Sequence, residues 1–102
     1  MIKKIGALIV LLFVTNVANA EQQWLDCKVE TAGYSASGVI SMRLTHVGDQ
    51  PLFVSKWFKA RSDVSEGMLD LAVLALTNNR LITIQAEPFG ETFEVIEKMF
   101  IN

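Results

Sequence analysis

The chain has 102 residues, nine of them basic and eleven acidic, and a formal net charge of −2 at neutral pH. This charge argues against nucleic acid as a partner, because phosphate binding needs a clustered basic surface. A single cysteine and a single histidine exclude an internal disulfide and give no metal-ligand spacing.

The first twenty residues have the three zones of a secretory signal peptide. Lys3 and Lys4 precede an apolar core at 5–14, and Ala18-Asn19-Ala20 provides the small residues that signal peptidase requires. An apolar core of about ten residues is shorter than the roughly twenty that cross a bilayer. We predict cleavage after Ala20 and a mature protein, residues 21–102, that is periplasmic or secreted, forms a single domain and has no membrane span.

Cys27 is the lone cysteine of the mature chain, and two interpretations of it stay open. A buried thiol would act as a small hydrophobic side chain. An exposed thiol would form an intermolecular disulfide with another copy or with a partner. In both cases packing, and no internal disulfide, must hold the fold together.

The first half of the mature chain predicts strands. Residues 24–30 alternate weakly, which indicates an edge strand, and the small residues of 31–37 indicate a flexible loop. The segment 38–47 alternates clearly, and its more apolar set is predicted to face inward. That set comprises Ile40, Met42, Leu44 and His46. A turn at 48–51 then leads to a return strand at 52–58.

A helix is predicted to follow. Ser62 or Asp63 can cap its first turn, with Glu66 placed as in a capping box. The run Met68–Leu76 is apolar on most sides, so the helix should be buried by its own domain or by a neighbouring subunit. Asn78-Asn79 should end it, because asparagine tolerates the left-handed conformation of a helix end.

The remaining segments, 80–87 and 92–101, predict one strand and then a last strand or two short ones. The predicted fold is therefore mostly β, a small five-stranded barrel with one buried α-helix between strands 3 and 4. This is the oligonucleotide/oligosaccharide-binding (OB) arrangement. A plain α+β sandwich is the alternative.

Three segments of this layout, 37–44, 49–54 and 69–88, resemble the B subunits of subtilase cytotoxin and the related pertussis-like toxins. These are secreted OB-fold proteins that form pentameric rings and bind cell-surface glycans. The resemblance implies a homo-oligomer, a glycan ligand and an A-type toxin subunit or other protein as partner. Two positions depart from the family: Val54 stands where a disulfide cysteine is expected, and Ala86 stands where a sugar-holding tyrosine is expected.

The resemblance also implies a ligand-binding loop. Ser37 matches a serine that hydrogen-bonds an acidic sugar, typically sialic acid, and Gly38 would let the ligand approach the backbone. Tyr34 and Ser35, just upstream, would add a stacking face and a second hydroxyl. The alternative is a simple loop in which Ser37 hydrogen-bonds its own backbone.

A second candidate site is a basic and aromatic cluster around Trp57. Lys56, Lys59 and Arg61 lie beside Trp57 and Phe58 in the sequence. The cluster indicates a site for a small anionic or sugar-like ligand at Trp57 and Lys56. The alternative, which we favour, is a solvated strand end whose long side chains cover apolar neighbours.

No catalytic constellation is apparent, so we predict that the protein is not an enzyme, with no catalytic residues, no metal and no cofactor. The only histidine, His46, belongs to an inward-facing set, and there is no phosphate-binding loop or nucleophile elbow. Two hypotheses remain. The protein is a secreted, ring-forming glycan-binding module, or it is a stand-alone periplasmic inhibitor or envelope accessory protein, monomeric or linked as a dimer through Cys27.

Overall fold

The computed structural model describes residues 22–102. The predicted signal peptide and its cleavage point lie outside the described residues. Within this range, no helix combines the length and the apolar character needed to cross a bilayer.

The described chain forms one curled, barrel-like sheet of six strands and a single α-helix. The elements are β1 (Gln23–Tyr34), β2 (Ile40–His46), β3 (Lys56–Ala60), α1 (Ser65–Thr77), β4 (Leu81–Ala86), β5 (Glu94–Ile96) and β6 (Lys98–Ile101). The strand order is β5-β3-β2-β1-β4-β6. All neighbouring pairs are antiparallel except β3 and β5, which are parallel. The prediction of a mostly β fold with its helix between the third and fourth strands is confirmed.

The two outer strands of the sheet are consecutive in the chain. β5 lies at one edge beside β3, β6 lies at the other edge beside β4, and only Glu97 separates them. The Glu97 amide donates to the Gln85 carbonyl oxygen of β4 at 2.8 Å. The sheet must therefore curl until its edges meet. The sixth strand arises because the predicted fifth strand is interrupted at Glu97.

β1 is the central strand of the sheet, so the prediction of an edge strand at 24–30 is wrong. It pairs with β2 on one side and with β4 on the other. The predicted flexible loop also begins too early, because the strand continues to Tyr34. A bulge between Val29 and Thr31 shifts the pairing register, and such an extra residue breaks the two-residue alternation by which a strand is recognised.

The hydrophobic core is formed by side chains from the strands and from the helix. As predicted, Ile40, Met42 and Leu44 of β2 are buried, while His46 at the end of that strand is half-buried and accepts a hydrogen bond from the Leu52 amide at Nδ1. The largest fully buried side chains are Phe58, Met42, Leu44, Ile82, Ile84, Ile96 and Cys27.

β3 starts at Lys56, four residues later than the predicted return strand. Ser55, directly before it, has a φ of 52°, a left-handed conformation that interrupts an extended strand. Its amide donates to the side-chain Oγ1 of Thr45 in β2 and not to a backbone carbonyl oxygen of that strand. Phe53 in this loop is nevertheless buried, with its ring 5.1 Å from that of Phe58.

α1 packs on the barrel through one face only. Met68, Ala72 and Ala75 are buried, whereas Val73, Leu74 and Leu76 are 45%, 50% and 45% exposed. The barrel of the single chain therefore buries only one face of the helix, and burial of the rest by a neighbouring subunit stays a prediction. The sequence shows how apolar the helix is, but burial depends on how much of its circumference the sheet can reach.

The two ends of α1 differ in how well the sequence predicts them. No side chain caps the first turn, because Asp63 is held by the Arg61 guanidinium through two hydrogen bonds of 2.7 Å. The predicted capping box is therefore wrong. The predicted stop is confirmed: Asn79 has a φ of 54°, and the Arg80 amide donates to the Ala75 carbonyl oxygen, the pattern of a Schellman motif.

Cys27 has no exposed surface and points into the barrel from β1. Burial, with the negative charge of Asp26 adding to it, raises the pKa of its thiol to about 12. The interpretation as a small buried hydrophobic side chain fits the fold. A disulfide to another molecule does not, because an attacking thiol cannot reach Cys27 in this conformation.

We expect the Cys27 thiol to be unreactive towards soluble thiol reagents in the folded protein. At pH 8 it is protonated and enclosed, so a soluble disulfide reagent should label it only as fast as the protein unfolds. Denatured protein should react at the rate of an ordinary thiol. Rapid labelling under native conditions, or a dimer on a non-reducing gel that disappears with reductant, would contradict the buried placement.

Candidate ligand-binding site

A groove of about 330 Å³ lies on the outer face of the barrel, where the β1–β2 loop (35–39) approaches the β4–β5 loop (87–93). We call it the aromatic groove. It is lined by Thr31, Ala32, Gly33, Tyr34, Ser35, Ser41, Trp57 and Phe93. In OB folds, the face of strands 2 and 3 between these two loops is the surface that binds oligonucleotides and oligosaccharides.

The floor of the groove is formed by residues that face outward from the strands, as the alternation of side chains requires. Met42 and Phe58 point into the core, so their neighbours Ser41 and Trp57 point outward. Gly33 pairs with Ser41 across the β1–β2 ladder, and a Cβ added to Gly33 would meet no atom within 4 Å. A glycine inside a strand often marks a place where a ligand approaches the backbone. Here it keeps the floor open.

Trp57 and Phe93 form the aromatic wall. Their ring centroids are 5.9 Å apart with an interplanar angle of 28°, and the Phe93 amide donates to the Trp57 carbonyl oxygen at 2.9 Å. Phe93 has a φ of 66°, which costs a side-chain-bearing residue about 1–3 kcal/mol. Strain of this kind is often found at binding sites, and here it holds the phenyl ring against Trp57.

Lys56 does not join Trp57 in the groove, contrary to the predicted basic and aromatic cluster. Successive residues of a strand face opposite sides, so Lys56 lies on the inner side of β3 and its Nζ is 5.8 Å from the Phe58 ring centroid. That Nζ donates to the Gly90 carbonyl oxygen at 2.8 Å. Lys56 therefore fastens the loop that carries Phe93 and acts as a positioning residue.

A charged pair lies behind Trp57. The Arg43 guanidinium carbon is 5.8 Å from the Trp57 ring centroid, and Arg43 Nε lies 3.3 Å from Glu30 Oε1 without the alignment of a hydrogen bond. Hydroxyl donors from Thr45 and Ser55 complete the surroundings of the Glu30 carboxylate. These two hydrogen bonds, with a smaller effect of the Arg43 charge, hold the pKa of Glu30 below its ordinary value of 4.5.

Glu30 should make the free energy of unfolding depend on pH in the acidic range. Because its pKa is lower in the folded state, its contribution is complete above pH 4.5 and is lost as the pH falls through the lowered folded value. We expect E30Q to reduce the free energy of unfolding at pH 7 and to differ less from the wild type at pH 3. Urea unfolding at both pH values measures this. The control E91Q, at an exposed position, should change the free energy of unfolding little at either pH. If E30Q lowered the free energy of unfolding equally at pH 7 and pH 3, the stabilising role of the Glu30 carboxylate would be contradicted.

A second, adjoining groove of about 480 Å³ contains the other predicted ligand residues. Ser37 and Gly38 line it together with Lys59, Arg61 and the start of α1, and we call it the serine groove. The Ser35 and Ser37 hydroxyls are 2.7 Å apart, so they meet where the two grooves adjoin.

The structure therefore divides the predicted ligand residues. Tyr34, Ser35 and Trp57 line the aromatic groove, whereas Ser37 and Gly38 line the serine groove. Gly38 has a φ of 87°, and its amide donates to the Ser35 carbonyl oxygen at 2.8 Å. Its conformation is thus needed to close the β1–β2 turn.

The sequence reasoning missed five lining residues: Thr31, Ala32, Gly33, Ser41 and Phe93. A glycine within an extended segment was the available signal for Gly33. Phe93 carried no such signal, because it follows a turn and reaches Trp57 through the parallel pairing of β5 with β3, which links distant parts of the chain.

Within residues 22–102, no three His, Cys, Asp or Glu side chains come together in a way that could hold a metal ion. Glu87, at the start of the β4–β5 loop, is buried and accepts a hydrogen bond from the Phe89 amide at 3.0 Å. The acidic side chains near the end of the chain thus help to shape the β4–β5 loop.

No protein-family model, curated protein or solved structure matches this chain. The resemblance to toxin B subunits stays a prediction, and the aromatic groove is the feature on which a function can be based.

Proposed function

We propose that the protein is an exported, non-catalytic module that binds a glycan in the aromatic groove. The observation that carries the proposal is the stacked pair of half-buried Trp57 and exposed Phe93 beside Tyr34, with Ser35 and Ser41 also lining the groove. The groove lies on the face and between the loops that OB folds use for elongated ligands.

The chemistry of the lining suits a sugar. A pyranose ring has one face of C–H bonds and a rim of hydroxyls, and the electron-rich face of an aromatic ring attracts the slightly positive C–H bonds. Ligand pockets combine such apolar walls with a few polar groups that fix orientation. Trp57 and Phe93 would provide the wall, and Ser35 and Ser41 the polar groups.

The test compares two tryptophans in matched surroundings. Trp57 lies 5.9 Å from Phe93 and has the Arg43 guanidinium over its ring; Trp24 lies 5.9 Å from Phe100 and has the Lys98 ammonium over its ring. We expect Trp57→Ala to weaken glycan binding by at least about tenfold, and Trp24→Ala to leave it nearly unchanged.

The measurement is a glycan array followed by titration of the best ligand, with thermal unfolding of both variants as the folding control. Equal loss of binding in the two variants would contradict the site. If the wild type binds no glycan, the proposed function is wrong, and the stand-alone inhibitor or envelope accessory protein becomes the better hypothesis.

We further propose that a second copy covers the outer face of α1, giving a homo-oligomer. Val73, Leu74 and Leu76 are about half exposed there. A helix that is apolar on all sides is normally buried on all sides, and the barrel covers one side only. If this face meets a different surface of the next copy, the contacts form a ring where the rotation between copies closes. The mass of the purified protein in solution tests this.

A further inference from the structure

The side chains that line the aromatic groove carry no charge at neutral pH. None of three cations on the neighbouring strands lines the groove, although the Arg43 guanidinium carbon lies 5.8 Å from the Trp57 ring centroid. Arg43 lies beside the Glu30 carboxylate, the Lys56 ammonium donates to the Gly90 carbonyl oxygen, and Lys59 lines the serine groove. An anionic group in the aromatic groove would therefore meet no free positive charge from the residues that line it.

The aromatic wall itself disfavours an anion. The faces of Trp57 and Phe93 carry the negative part of the ring quadrupole, so they attract C–H bonds and repel a carboxylate or sulfate. A carboxylate that exchanges water for this surface without a paired cation loses hydration energy. The chain as a whole is also negative, with a formal charge of −2, and gives no general attraction to anions.

Gly33 sets the shape of the floor. It occupies an outward-facing position of β1, opposite Ser41, and a Cβ added there would meet no atom within 4 Å. Its φ is not in the left-handed region, so the backbone does not require glycine there. The absence of a side chain instead leaves a flat strip of backbone beside Trp57, on which a sugar ring can lie against the indole.

From this geometry we infer that the aromatic groove selects uncharged sugars, taken by the C–H face of the ring, and that Gly33 is the residue that admits them. This specificity rests on the proposed function. It differs from the acidic sugar that the resemblance to toxin B subunits implies for Ser37.

The test uses pairs of oligosaccharides that differ only in a terminal sialic acid or a sulfate. We expect the purified protein to bind the uncharged member at least about tenfold more tightly. Binding should change less than about twofold between 50 mM and 500 mM NaCl, because screening acts only on charged partners. Preferential binding of the acidic member, weakened by salt and by Lys59→Ala, would overturn the inference while leaving the glycan-binding function in place.

Two glycine variants test the role of Gly33. Gly33→Val should fill the groove and weaken binding of the uncharged sugar at least about tenfold. It should not reduce stability, because valine favours strands and its Cβ would meet no atom within 4 Å. Gly67→Val, in α1 and equally free of close neighbours, is the matched control and should bind as the wild type does.

Unchanged binding by a folded Gly33→Val would overturn the assignment of Gly33. If the wild type binds neither member of any pair, the proposed function itself fails and the inference fails with it. The two failures are therefore distinguishable: binding of acidic glycans alone contradicts only the specificity, whereas the absence of all glycan binding contradicts both.

Discussion

Replacing Phe58 by alanine is expected to lower the free energy of unfolding by about 3–5 kcal/mol, the usual range for a buried phenylalanine. Phe58 has no exposed surface and is among the largest fully buried side chains of the described chain. Its ring contacts Phe53 at a centroid distance of 5.1 Å, and its backbone lies between β2 and β5. The cavity would thus open where three chain segments meet.

The effect should be large relative to the total stability. A domain of about 80 residues has about 4–12 kcal/mol of stability in all, and no internal disulfide is possible to limit the unfolded state. We therefore expect Phe58→Ala to be partly unfolded at 37 °C. Chemical denaturation followed by tryptophan fluorescence measures the loss.

Phe89→Ala is the matched control. Phe89 is 61% exposed in the β4–β5 loop, so its removal should change the free energy of unfolding by less than about 0.5 kcal/mol. Similar losses in the two variants would show that Phe58 is not an interior residue, and the barrel core described above would be wrong.

Glutamate at Ala72 is the second substitution with a large expected effect. Ala72 has no exposed surface and lies on the buried side of α1. A carboxylate placed there would lose its hydration without a cationic partner, at a cost of several kcal/mol, on the order of 3 or more. We expect Ala72→Glu to be unfolded or to release α1 from the barrel, which circular dichroism and urea unfolding would detect.

The neighbouring substitution, Val73→Glu, serves as the control. Val73 is 45% exposed, so the same carboxylate would stay hydrated and the single chain should remain folded. If a second copy covers this face, Val73→Glu should also dissociate the oligomer without unfolding it. Equal destabilisation of the monomer by both variants would contradict the orientation of α1.

The sequence predicted best those features that depend on neighbouring residues. The inward set of β2 follows from strict alternation, and the end of α1 follows from Asn78 and Asn79, whose conformational preference is local. The identification of the helix itself, between the third and fourth strands, was sufficient to favour a barrel closed by a helix.

Features set by contacts between distant residues were predicted poorly. The bulge beside Glu30 hides the alternation of β1, and the carboxylate that it displaces is held by Thr45, Ser55 and Arg43 of other segments. Asp63 had a competing partner in Arg61, so it did not cap α1.

The candidate site was half predicted for the same reason. Tyr34 at the end of β1, Ser35 in the following loop and Trp57 could be identified one at a time. Which of their neighbours would share a groove depended on strand pairing, which separates Lys56 from Trp57 and joins Phe93 to it.

The joining of the two sheet edges at Glu97 has a consequence for how the protein acquires its structure. The last segment to be synthesised contains two strands: β5, which pairs with β3, and β6, which pairs with β4. Pairings between residues so far apart in sequence raise the contact order and slow folding. A chain emerging from a ribosome cannot complete its barrel until residues 94–101 are released, so the strands made earlier must wait with an unpaired edge.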